Sequence, residues 1–316
     1  MTVAAAQLGP IAPDEPRSSA VERMIAMLHE SHRRGAELVV FPELALTTFF
    51  PRYVLEGDTL DACYEREMPG TESKPLFDEA ARLGVGFCLG FAELVDGGNG
   101  THRYNASVLV ERDGRVVATY RKVHLPGHGE PEPHRPFQHL ERGYFEPGPD
   151  GFGTWRAFGG VVGMAICNDR RWPETYRVLA LQGAELVLIG YNTPTHYPPD
   201  PGQDHLASFH HRLVLQAGAY QNGLWAVAVA KCGVEDGVEL LGDSMIVAPS
   251  GEVVAQATTL DDEVVTAVCD LDRCADYRRT LFDFERYRMP EHYGLVVERR
   301  GEIPPPPEPS APKEES

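Results

Sequence analysis

Residues 161–174 read VVGMAICNDRRWPE, an apolar run that changes abruptly to a polar one. Val161–Ile166 has the length and composition of a buried strand. Pro173–Gln182 is predicted to be a helix, with proline in the first turn, where its missing N–H is not needed. The next apolar run, Leu186–Ile189, predicts a second buried strand. This succession of buried strand, helix and buried strand indicates an α/β fold.

The same alternation extends in both directions, and no change in composition divides the chain. Further strands are predicted at Thr2–Gln7, Leu38–Phe41, Val85–Leu89, Ser107–Glu111, Val116–Tyr120, Leu224–Ala230, Ser244–Val247 and Val264–Leu271. Further helices are predicted at Ser18–Arg34, Pro75–Leu83 and Asp204–Gln221. We therefore expect one α/β domain over residues 1–298. The Pro-rich tail at 299–316 is predicted to be disordered, because its composition cannot bury apolar surface.

The charge balance is strongly acidic, with a formal net charge of −18 over 316 residues. This disfavours nucleic acid and anionic membranes as partners. No apolar run reaches the ~20 residues of a membrane span, and the N-terminus has no basic region typical of a secretory signal. We therefore expect a cytoplasmic location. The six cysteines are too few and too irregularly spaced for a disulfide framework, so free thiols are expected.

Three polar residues of catalytic type lie where predicted strands end. Glu43, Lys122 and Cys167 each follow an apolar run. Catalytic groups of α/β proteins gather beyond the carboxyl ends of strands, so these side chains are candidates for one site. Each residue taken alone has a plainer interpretation: a solvated loop carboxylate, a surface lysine and a buried core thiol.

Together the three side chains would perform nucleophilic catalysis. A thiol with an ordinary pKa of about 8.5 needs a base or a cation to supply thiolate at neutral pH. Glu43 is the candidate base, provided that desolvation keeps its pKa high, and Lys122 would stabilise the thiolate and then the oxyanion. The backbone N–H of Asn168 would complete the oxyanion hole. This chemistry requires no metal and no cofactor.

The segments around these residues resemble the three catalytic motifs of the nitrilase superfamily: Phe41-Pro42-Glu43, Arg121-Lys122-Val123-His124-Leu125 and Ile166-Cys167-Asn168-Asp169. Longer segments resemble the N-carbamoyl-D-amino acid amidohydrolases: FPELALTTFFPR (41–52), RPFQHLE (135–141), CNDRRWPE (167–174) and GYNTPTH (190–196). The similarity extends from about residue 3 to Leu295 and leaves only the Pro-rich tail uncovered.

The resemblance implies a nitrilase-like four-layer α-β-β-α sandwich and assembly into homodimers or homotetramers. It also implies that the small-molecule substrate is an N-carbamoyl-D-amino acid, hydrolysed to the D-amino acid, carbon dioxide and ammonia. By motif, Cys167 is the nucleophile, Glu43 the general base and Lys122 the oxyanion stabiliser. Glu141 matches a second acidic residue of family active sites, which would hold Lys122 charged and oriented. As a plain loop carboxylate it would instead lie in solvent.

A substrate carboxylate would need a local cation in a protein of charge −18. Arg170 and Arg171 are candidates, because a guanidinium grips a carboxylate through two hydrogen bonds, and the resemblance assigns this role to both. Adjacent side chains often point apart, which leaves one of the two for a structural role. Asn192 and Thr193 match family positions that contact the substrate; without the resemblance they would be a turn residue and a cap.

Four histidines, His124, His128, His134 and His139, lie close together in the sequence. Pro126-Gly127 interrupts any helix that would place the first two on one face, so we predict no metal site. The resemblance instead implies that His124 and His139 orient or hydrogen-bond groups in the pocket.

Two positions depart from the family pattern. Gly129–His134 is unusually rich in proline, and Asp243 occupies a place where histidine is expected. Neither belongs to the triad motifs, but both would alter substrate range or assembly.

Two other functions remain open. One is a related amidase or β-ureidopropionase-like hydrolase with the same triad, and the other is an inactive assembly protein. The arginine pair favours a carbamoyl amino acid, because a simple amide or nitrile offers no carboxylate. The complete triad argues against an inactive protein.

Overall fold

The computed structural model describes residues 1–98 and 100–305. The strands are β1 (Thr2–Gln7), β2 (Leu38–Val40), β3 (Gly86–Gly97), β4 (Gly100–Val110), β5 (Val116–Arg121), β6 (Thr154–Ala157), β7 (Gly160–Ile166), β8 (Leu186–Tyr191), β9 (Trp225–Ala230), β10 (Cys232–Glu235), β11 (Val238–Leu241), β12 (Met245–Val247), β13 (Val253–Gln256) and β14 (Glu263–Val268). The α-helices are α1 (Arg17–Arg33), α2 (Gly57–Asp61), α3 (Lys74–Leu83), α4 (Glu141–Tyr144), α5 (Pro173–Leu181), α6 (Ala207–Asn222), α7 (Asp272–Arg278), α8 (Phe284–Tyr287) and α9 (Gly294–Glu298). Short 3-10 helices lie at Phe50–Arg52, Cys167–Arg171, Pro201–Leu206 and Pro290–His292.

Two six-stranded sheets face each other, and helices cover the outer face of each. The first sheet has the order β14-β1-β2-β3-β4-β5 and the second has the order β13-β12-β9-β8-β7-β6. Helices α1 and α3 share a core with the first sheet, to which they contribute Met24, Leu28 and Phe77. Helices α5 and α6 share a core with the second sheet, through Tyr176 and Leu215. The four-layer α-β-β-α sandwich predicted from the sequence is therefore confirmed.

Small residues allow β1 to run through the molecule with both faces covered. Ala4 and Ala6 belong to the core beneath α1 and α3, whereas Val3 and Ala5 belong to the core that includes the second sheet. The two pairs face opposite ways because side chains alternate along a strand. All four are fully buried. The burial of both faces, more than the weak strand propensity of alanine, decides the conformation of this segment.

Most predicted elements lie within a few residues of the observed ones, but some boundaries were wrong. The predicted helix Asp204–Gln221 begins instead as a 3-10 helix at Pro201 and becomes α-helical only at Ala207. The predicted strand Val264–Leu271 ends at Val268. Strands β3 and β4 form a hairpin longer than predicted, because their outer ends carry exposed polar residues that give no hydrophobic signal.

Four short strands, β6, β10, β11 and β13, were not predicted. The turn between β10 and β11 is Asp236-Gly237, whose positive φ angles of 47° and 77° suit a tight hairpin. An Asp-Gly pair between apolar residues was the sequence signal for this hairpin.

All six cysteines carry free thiols. Within residues 1–98 and 100–305, no helix is both long enough and apolar enough to cross a membrane. Of the predicted tail, residues 306–316 lie outside the described residues. The domain boundary at residue 298 stays a prediction.

The carboxyl ends of four strands bring the candidate residues together. β2 and β5 run in the same direction, because β3 is parallel to β2 and the antiparallel strand β4 lies between β3 and β5. β7 and β8 are parallel neighbours in the second sheet. Glu43 and Lys122 follow the first pair, and Cys167 and Asn192 follow the second. Each sheet therefore supplies part of the candidate site.

The backbone of Pro42 and Glu43 passes close to two glycines, one in each sheet. A Cβ on Gly90 of β3 would lie 2.5 Å from the carbonyl oxygen of Pro42. A Cβ on Gly190 of β8 would lie 2.6 Å from the backbone nitrogen of Glu43. Both distances are too short for a carbon atom, so glycine is required at both positions for close backbone approach.

We expect Gly190→Ala to destabilise the protein by about 1–3 kcal/mol, because the added methyl group must displace the Glu43 backbone or separate the strands. Gly98→Ala is the matched control, since a Cβ there meets no atom within 4 Å. Urea unfolding followed by circular dichroism measures both variants. Equal midpoints would contradict the close approach.

Candidate active site

Cys167 begins a 3-10 helix directly after β7. Its φ of 46° lies in the left-handed region, which is unfavourable for a residue with a Cβ and persists only when the surroundings hold it. Sγ donates a hydrogen bond to the carbonyl oxygen of Asn192 at 3.3 Å. The side chain is only 7% exposed. The predicted nucleophile therefore lies where β7 and β8 end, enclosed by protein.

Lys122 lies fully buried between two carboxylates. Its Nζ donates to Oε1 of Glu43 at 2.7 Å and to Oε2 of Glu141 at 2.5 Å. Burial alone would lower the pKa of Lys122, but the negative charges of Glu141 and Glu43 outweigh burial and raise the pKa above its ordinary value. Lys122 therefore keeps its positive charge, as an oxyanion stabiliser must.

Both carboxylate oxygens of Glu43 accept hydrogen bonds from buried donors. Besides Lys122, Oε1 accepts from Nδ2 of Asn105 at 2.8 Å, and Oε2 accepts from the backbone N–H of Asn192 at 2.9 Å. Burial raises the pKa of Glu43 despite the opposing charge of Lys122, and the negative charge of Glu141 adds to the rise. A carboxylate with a raised pKa accepts a proton more readily near neutral pH, which is what a general base requires.

Glu141 is also fully buried, but its pKa moves in the opposite direction. Its Oε1 lies 3.0 Å from Nε2 of His139. Burial would raise the pKa of Glu141, but the charge of Lys122 and the hydrogen bond from His139 outweigh burial and lower it. The carboxylates on either side of Lys122 therefore differ, because Glu43 is disposed to take a proton and Glu141 to stay ionised.

The thiol of Cys167 also has a shifted pKa. Burial and the negative charge of Glu43 raise the pKa, and the positive charges of Lys122 and Arg170 act against this rise. The sulfur therefore carries its proton at neutral pH and needs a base when it attacks. In Cys88, by contrast, burial alone raises the pKa to about 12.

Asp169 supports the nucleophile's helix and was not among the predicted site residues. The carboxylate is fully buried and accepts from the hydroxyl of Tyr120 at 2.7 Å and from the N–H of Ile166 at 2.9 Å. Its other oxygen accepts from the N–H of His124 and lies 2.9 Å from Nδ1 of the same residue. The ring of His124 also stacks on Trp172, with ring centroids 5.1 Å apart. The structure therefore places His124 beside the nucleophile's helix.

Asn168 is half-buried, and its Nδ2 donates to the carbonyl oxygen of His124 at 3.3 Å. Its backbone N–H belongs to the first turn of the 3-10 helix, where a helix has no acceptor of its own. That this N–H serves an oxyanion next to Cys167 stays a prediction.

Arg170 and Arg171 point in different directions. Arg170 is 1% exposed and donates through Nη1 to the carbonyl oxygen of Cys167 at 2.6 Å and through Nη2 to the hydroxyl of Thr193 at 2.8 Å. Its Nε donates to Nδ1 of the buried His211 at 3.3 Å. The guanidinium supports the nucleophile's turn, which differs from the predicted role in carboxylate binding.

Arg171 is exposed. Within the described part of the chain it has no hydrogen-bond or ion-pair partner. Desolvation by the surrounding protein and the positive charge of Arg170 lower the pKa of Arg171. A guanidinium nevertheless stays charged at neutral pH. Arg171 is therefore the cation of the pair that is available to an anionic ligand.

Asn192 and Thr193 follow β8 and are both buried. The Nδ2 of Asn192 donates to the backbone carbonyl of Glu43 at 2.9 Å, so this residue connects the base and the nucleophile through three groups of its own: its Nδ2, its backbone N–H and its backbone carbonyl. The carbonyl oxygen of Thr193 accepts from the N–H of Leu241 at 2.8 Å. Both residues hold the site together from the second sheet, and direct contact with the substrate stays a prediction.

A second buried ion pair, which was not predicted, holds the loop after Glu43. The Nζ of Lys231 donates to Oε2 of Glu235 at 2.8 Å and to the carbonyl oxygen of Thr47 at 2.9 Å. The other oxygen of Glu235 accepts from the N–H of Phe49 at 2.8 Å. Phe49 in turn packs edge-on against the ring of His139, with centroids 5.8 Å apart. The loop therefore connects the second half of the chain to the Glu141 segment.

The Pro-rich segment after Lys122 folds back on itself. The N–H of His128 donates to the carbonyl oxygen of His139 at 2.9 Å. The segment is also attached to the loop after Glu43, because the N–H of Leu140 donates to the carbonyl oxygen of Pro51 at 2.8 Å. Among the described residues, no group of three or more His, Cys, Asp or Glu side chains is arranged to hold a metal ion.

Asp243, which stands where the family pattern has histidine, accepts two hydrogen bonds of 3.1 Å from the guanidinium of Arg212.

Comparison with known proteins extends this picture. Residues 2–279 match the carbon-nitrogen hydrolase family. An N-carbamoylputrescine amidase of Oryza sativa subsp. japonica is 30% identical over 315 residues, which cover 96% of each chain. An (R)-stereoselective amidase of a Pseudomonas species is 36% identical over 248 residues, which cover 77% of this chain and 76% of the relative.

The crystal structure of a carbon-nitrogen hydrolase from Helicobacter pylori G27 has the same fold. It matches with a TM-score of 0.81 at 24% identity, covering 95% of this chain and 98% of that one. The family match contains Glu43, Lys122, Glu141 and Cys167. The chain therefore belongs to the carbon-nitrogen hydrolase family of the nitrilase superfamily and is an amidase-type hydrolase of carbon-nitrogen bonds.

Proposed function

We propose that the chain hydrolyses N-carbamoyl-D-amino acids to the D-amino acid, carbon dioxide and ammonia. The observation that carries the proposal is Arg171, an exposed guanidinium without a partner among the described residues, four positions after the nucleophile. A guanidinium binds a carboxylate through two parallel hydrogen bonds. The segments 41–52 and 167–174, which resemble the N-carbamoyl-D-amino acid amidohydrolases, support the same substrate.

In the first half of the reaction, Sγ of Cys167 bonds to the carbamoyl carbon while Glu43 takes the thiol proton. The electron pair of the C=O bond moves to oxygen, where Lys122 and the N–H of Asn168 stabilise it. When the C–N bond breaks, its electron pair leaves with nitrogen, and Glu43 returns the proton to that nitrogen. An amine is released and an acyl group remains on Cys167.

In the second half, water adds to the acyl carbon and Glu43 takes a proton from the water. The C–S bond breaks, and the proton returns from Glu43 to the sulfur of Cys167. The product is a carbamic acid, which breaks down in solution to carbon dioxide and the remaining nitrogen product, so that one D-amino acid and one ammonia are released in all. The permanent charge of Lys122 serves both halves, because an oxyanion forms in each.

The preference for the D enantiomer rests on the resemblance. The Pseudomonas relative is named for R-stereoselectivity, which supports a pocket of defined handedness in this branch of the family. The Oryza relative is named for a carbamoyl substrate that ends in an amine rather than a carboxylate. An unpaired arginine would repel such a cation, so we do not expect this chain to share that substrate.

The second candidate function is an amidase that needs no carboxylate on its substrate. The 36% identity to the (R)-stereoselective amidase favours it. Both candidates use Cys167, Glu43 and Lys122 in the same roles, and only the substrate separates them.

We expect the purified protein to release ammonia from N-carbamoyl-D-phenylalanine and to act more slowly on the L enantiomer, an aliphatic amide and a nitrile. Cys167→Ala should abolish release from every compound, because Cys167 is the thiol that the charges of Glu43 and Lys122 act on. Cys88→Ala is the control, since Cys88 is a buried core thiol. Turnover of the plain amide alone would favour the second candidate, and turnover by Cys167→Ala would exclude the thiol mechanism.

We expect Arg171→Gln to lower kcat/KM for N-carbamoyl-D-phenylalanine by roughly ten- to a hundredfold, the loss that follows removal of a charge-assisted hydrogen-bonding pair. The effect should fall mainly on KM and should be absent for the uncharged amide of the same compound. Arg66→Gln removes the same charge from an exposed position and is the matched control. An equal loss on charged and uncharged substrates would exclude carboxylate binding by Arg171.

We also propose that the chain forms homodimers or homotetramers, as the resemblance implies. The face formed by α5 and the segment 281–297 holds an open cavity of about 600 Å³, lined by exposed apolar residues that include Val178, Leu181 and Val297. Exposed apolar surface of this kind is typical of protein interfaces. A cytoplasmic location stays a prediction.

If this face binds a second copy, Leu181→Glu should reduce the mass in solution to that of the 34.9 kDa monomer. A carboxylate in place of an apolar side chain disfavours an interface, because its charge must be desolvated when the surface is buried. Light scattering after gel filtration measures the mass. Val234→Glu, on the β10–β11 hairpin, places the same charge on another exposed apolar residue and should change nothing. A monomeric wild-type protein would contradict the proposal.

A further inference from the structure

Asn105 contacts all three charged residues of the site, although it belongs to none of the quoted motifs. Its backbone carbonyl accepts from the N–H of Lys122 at 2.8 Å. Its Nδ2 donates to Oε1 of Glu43 at 2.8 Å and lies 3.4 Å from Oε2 of Glu141. The residue is fully buried in the middle of β4.

The other end of the Asn105 side chain has no partner. Its Oδ1 is a buried acceptor without a hydrogen bond in the described structure. Such an orphan lowers stability relative to an apolar side chain of the same shape. The amide is therefore poorly explained by packing, and its Nδ2 donor is the group that the site uses.

The two carboxylate oxygens of Glu43 accept different numbers of hydrogen bonds. Oε1 accepts from both Lys122 and Asn105, which occupy the two lone pairs of a carboxylate oxygen. Among the described residues, Oε2 accepts only from the N–H of Asn192, so one lone pair remains. The thiol of Cys167 donates to the carbonyl oxygen of the same Asn192. The free lone pair of Glu43 Oε2 and the thiol proton of Cys167 are therefore both next to the backbone of Asn192.

We propose that Asn105 is a positioning residue that fills Oε1 of Glu43 and thereby directs the thiol proton of Cys167 to Oε2. In this step the S–H bond breaks, its electron pair stays on sulfur, and an O–H bond forms at Oε2. The positive charge of Lys122 stays where it is. The proposal rests on the proposed function only in so far as Cys167 is the nucleophile and Glu43 the base.

The experiment therefore measures the reactivity of the Cys167 thiol in the absence of a substrate. Alkylation of Cys167 by iodoacetamide, measured against pH by mass spectrometry of its peptide, requires ionised Glu43 to accept the proton. The rate falls as the pH drops through the pKa of Glu43, which burial has raised. Loss of the Asn105 donor destabilises the ionised carboxylate and raises this pKa further, so the acid limb of the rate profile must move to higher pH.

For Asn105→Leu, we expect the acid limb of the alkylation rate profile to move to higher pH by about one pH unit or more. This is the shift that follows loss of a hydrogen bond to a charged group. The wild-type rate should return at high pH, which a merely loosened structure would not produce. Should the leucine variant fail to fold, Asn105→Ala must move the limb in the same direction.

Asn222→Leu is the matched control. Asn222 is also a buried asparagine with one Nδ2 hydrogen bond and an unpaired Oδ1, but it lies at the end of α6. Its substitution should leave the limb in place. A folded Asn105 variant with the wild-type limb would overturn the proposal. Failure to hydrolyse carbamoyl amino acids would not affect this result, because only the alkylation is measured.

Discussion

Lys122 is an ammonium group buried between two carboxylates, and the geometry of the site follows from the need to keep these three charges paired. Burying charges is unfavourable unless every one has a partner, and removing one partner typically destabilises a protein by about 3–5 kcal/mol. The cluster carries one positive and two negative charges, and hydrogen bonds from Asn105 and Asn192 to Glu43 help to compensate the excess. Proton transfer from Cys167 to Glu43 leaves the total charge unchanged, so the surroundings need little reorganisation during the reaction.

The site depends on closure of the two-sheet sandwich. Lys122 and Glu43 follow strands of the first sheet, whereas Cys167 and Asn192 follow strands of the second. Neither sheet alone contains both the nucleophile and the base. The distance between them is set where the Glu43 backbone passes Gly190 with no side chain between. Packing of the core therefore also determines the placement of the catalytic groups, since a change in the spacing of the sheets moves the base away from the thiol.

Local signals in the sequence predicted the buried strands and the residues that follow them, whereas the four-layer arrangement and the role of Glu141 were implied by the resemblance. Buried strands are apolar runs, and Glu43, Lys122 and Cys167 stand directly after them. Asn105 left no such signal, since it precedes the apolar run of the predicted strand Ser107–Glu111 and nothing in its neighbourhood reveals which carboxylates it will contact. The roles of Arg170 and Arg171 were equally open, because the direction of adjacent side chains depends on the turn at Cys167. Only the three-dimensional arrangement shows that one guanidinium is enclosed and the other is free of partners in the described chain.

The left-handed backbone at Cys167 also has an evolutionary consequence. At a φ of 46° a glycine would be more stable than any residue with a Cβ, by about 1–2 kcal/mol. Leu44, directly after the base, has the same φ of 46°. At Leu44 the packing of the buried side chain offsets this cost, whereas at Cys167 stability elsewhere in the fold must meet it. A lineage that keeps this chemistry must hold a reserve of stability elsewhere, and losing the reserve would threaten folding before it altered the reaction.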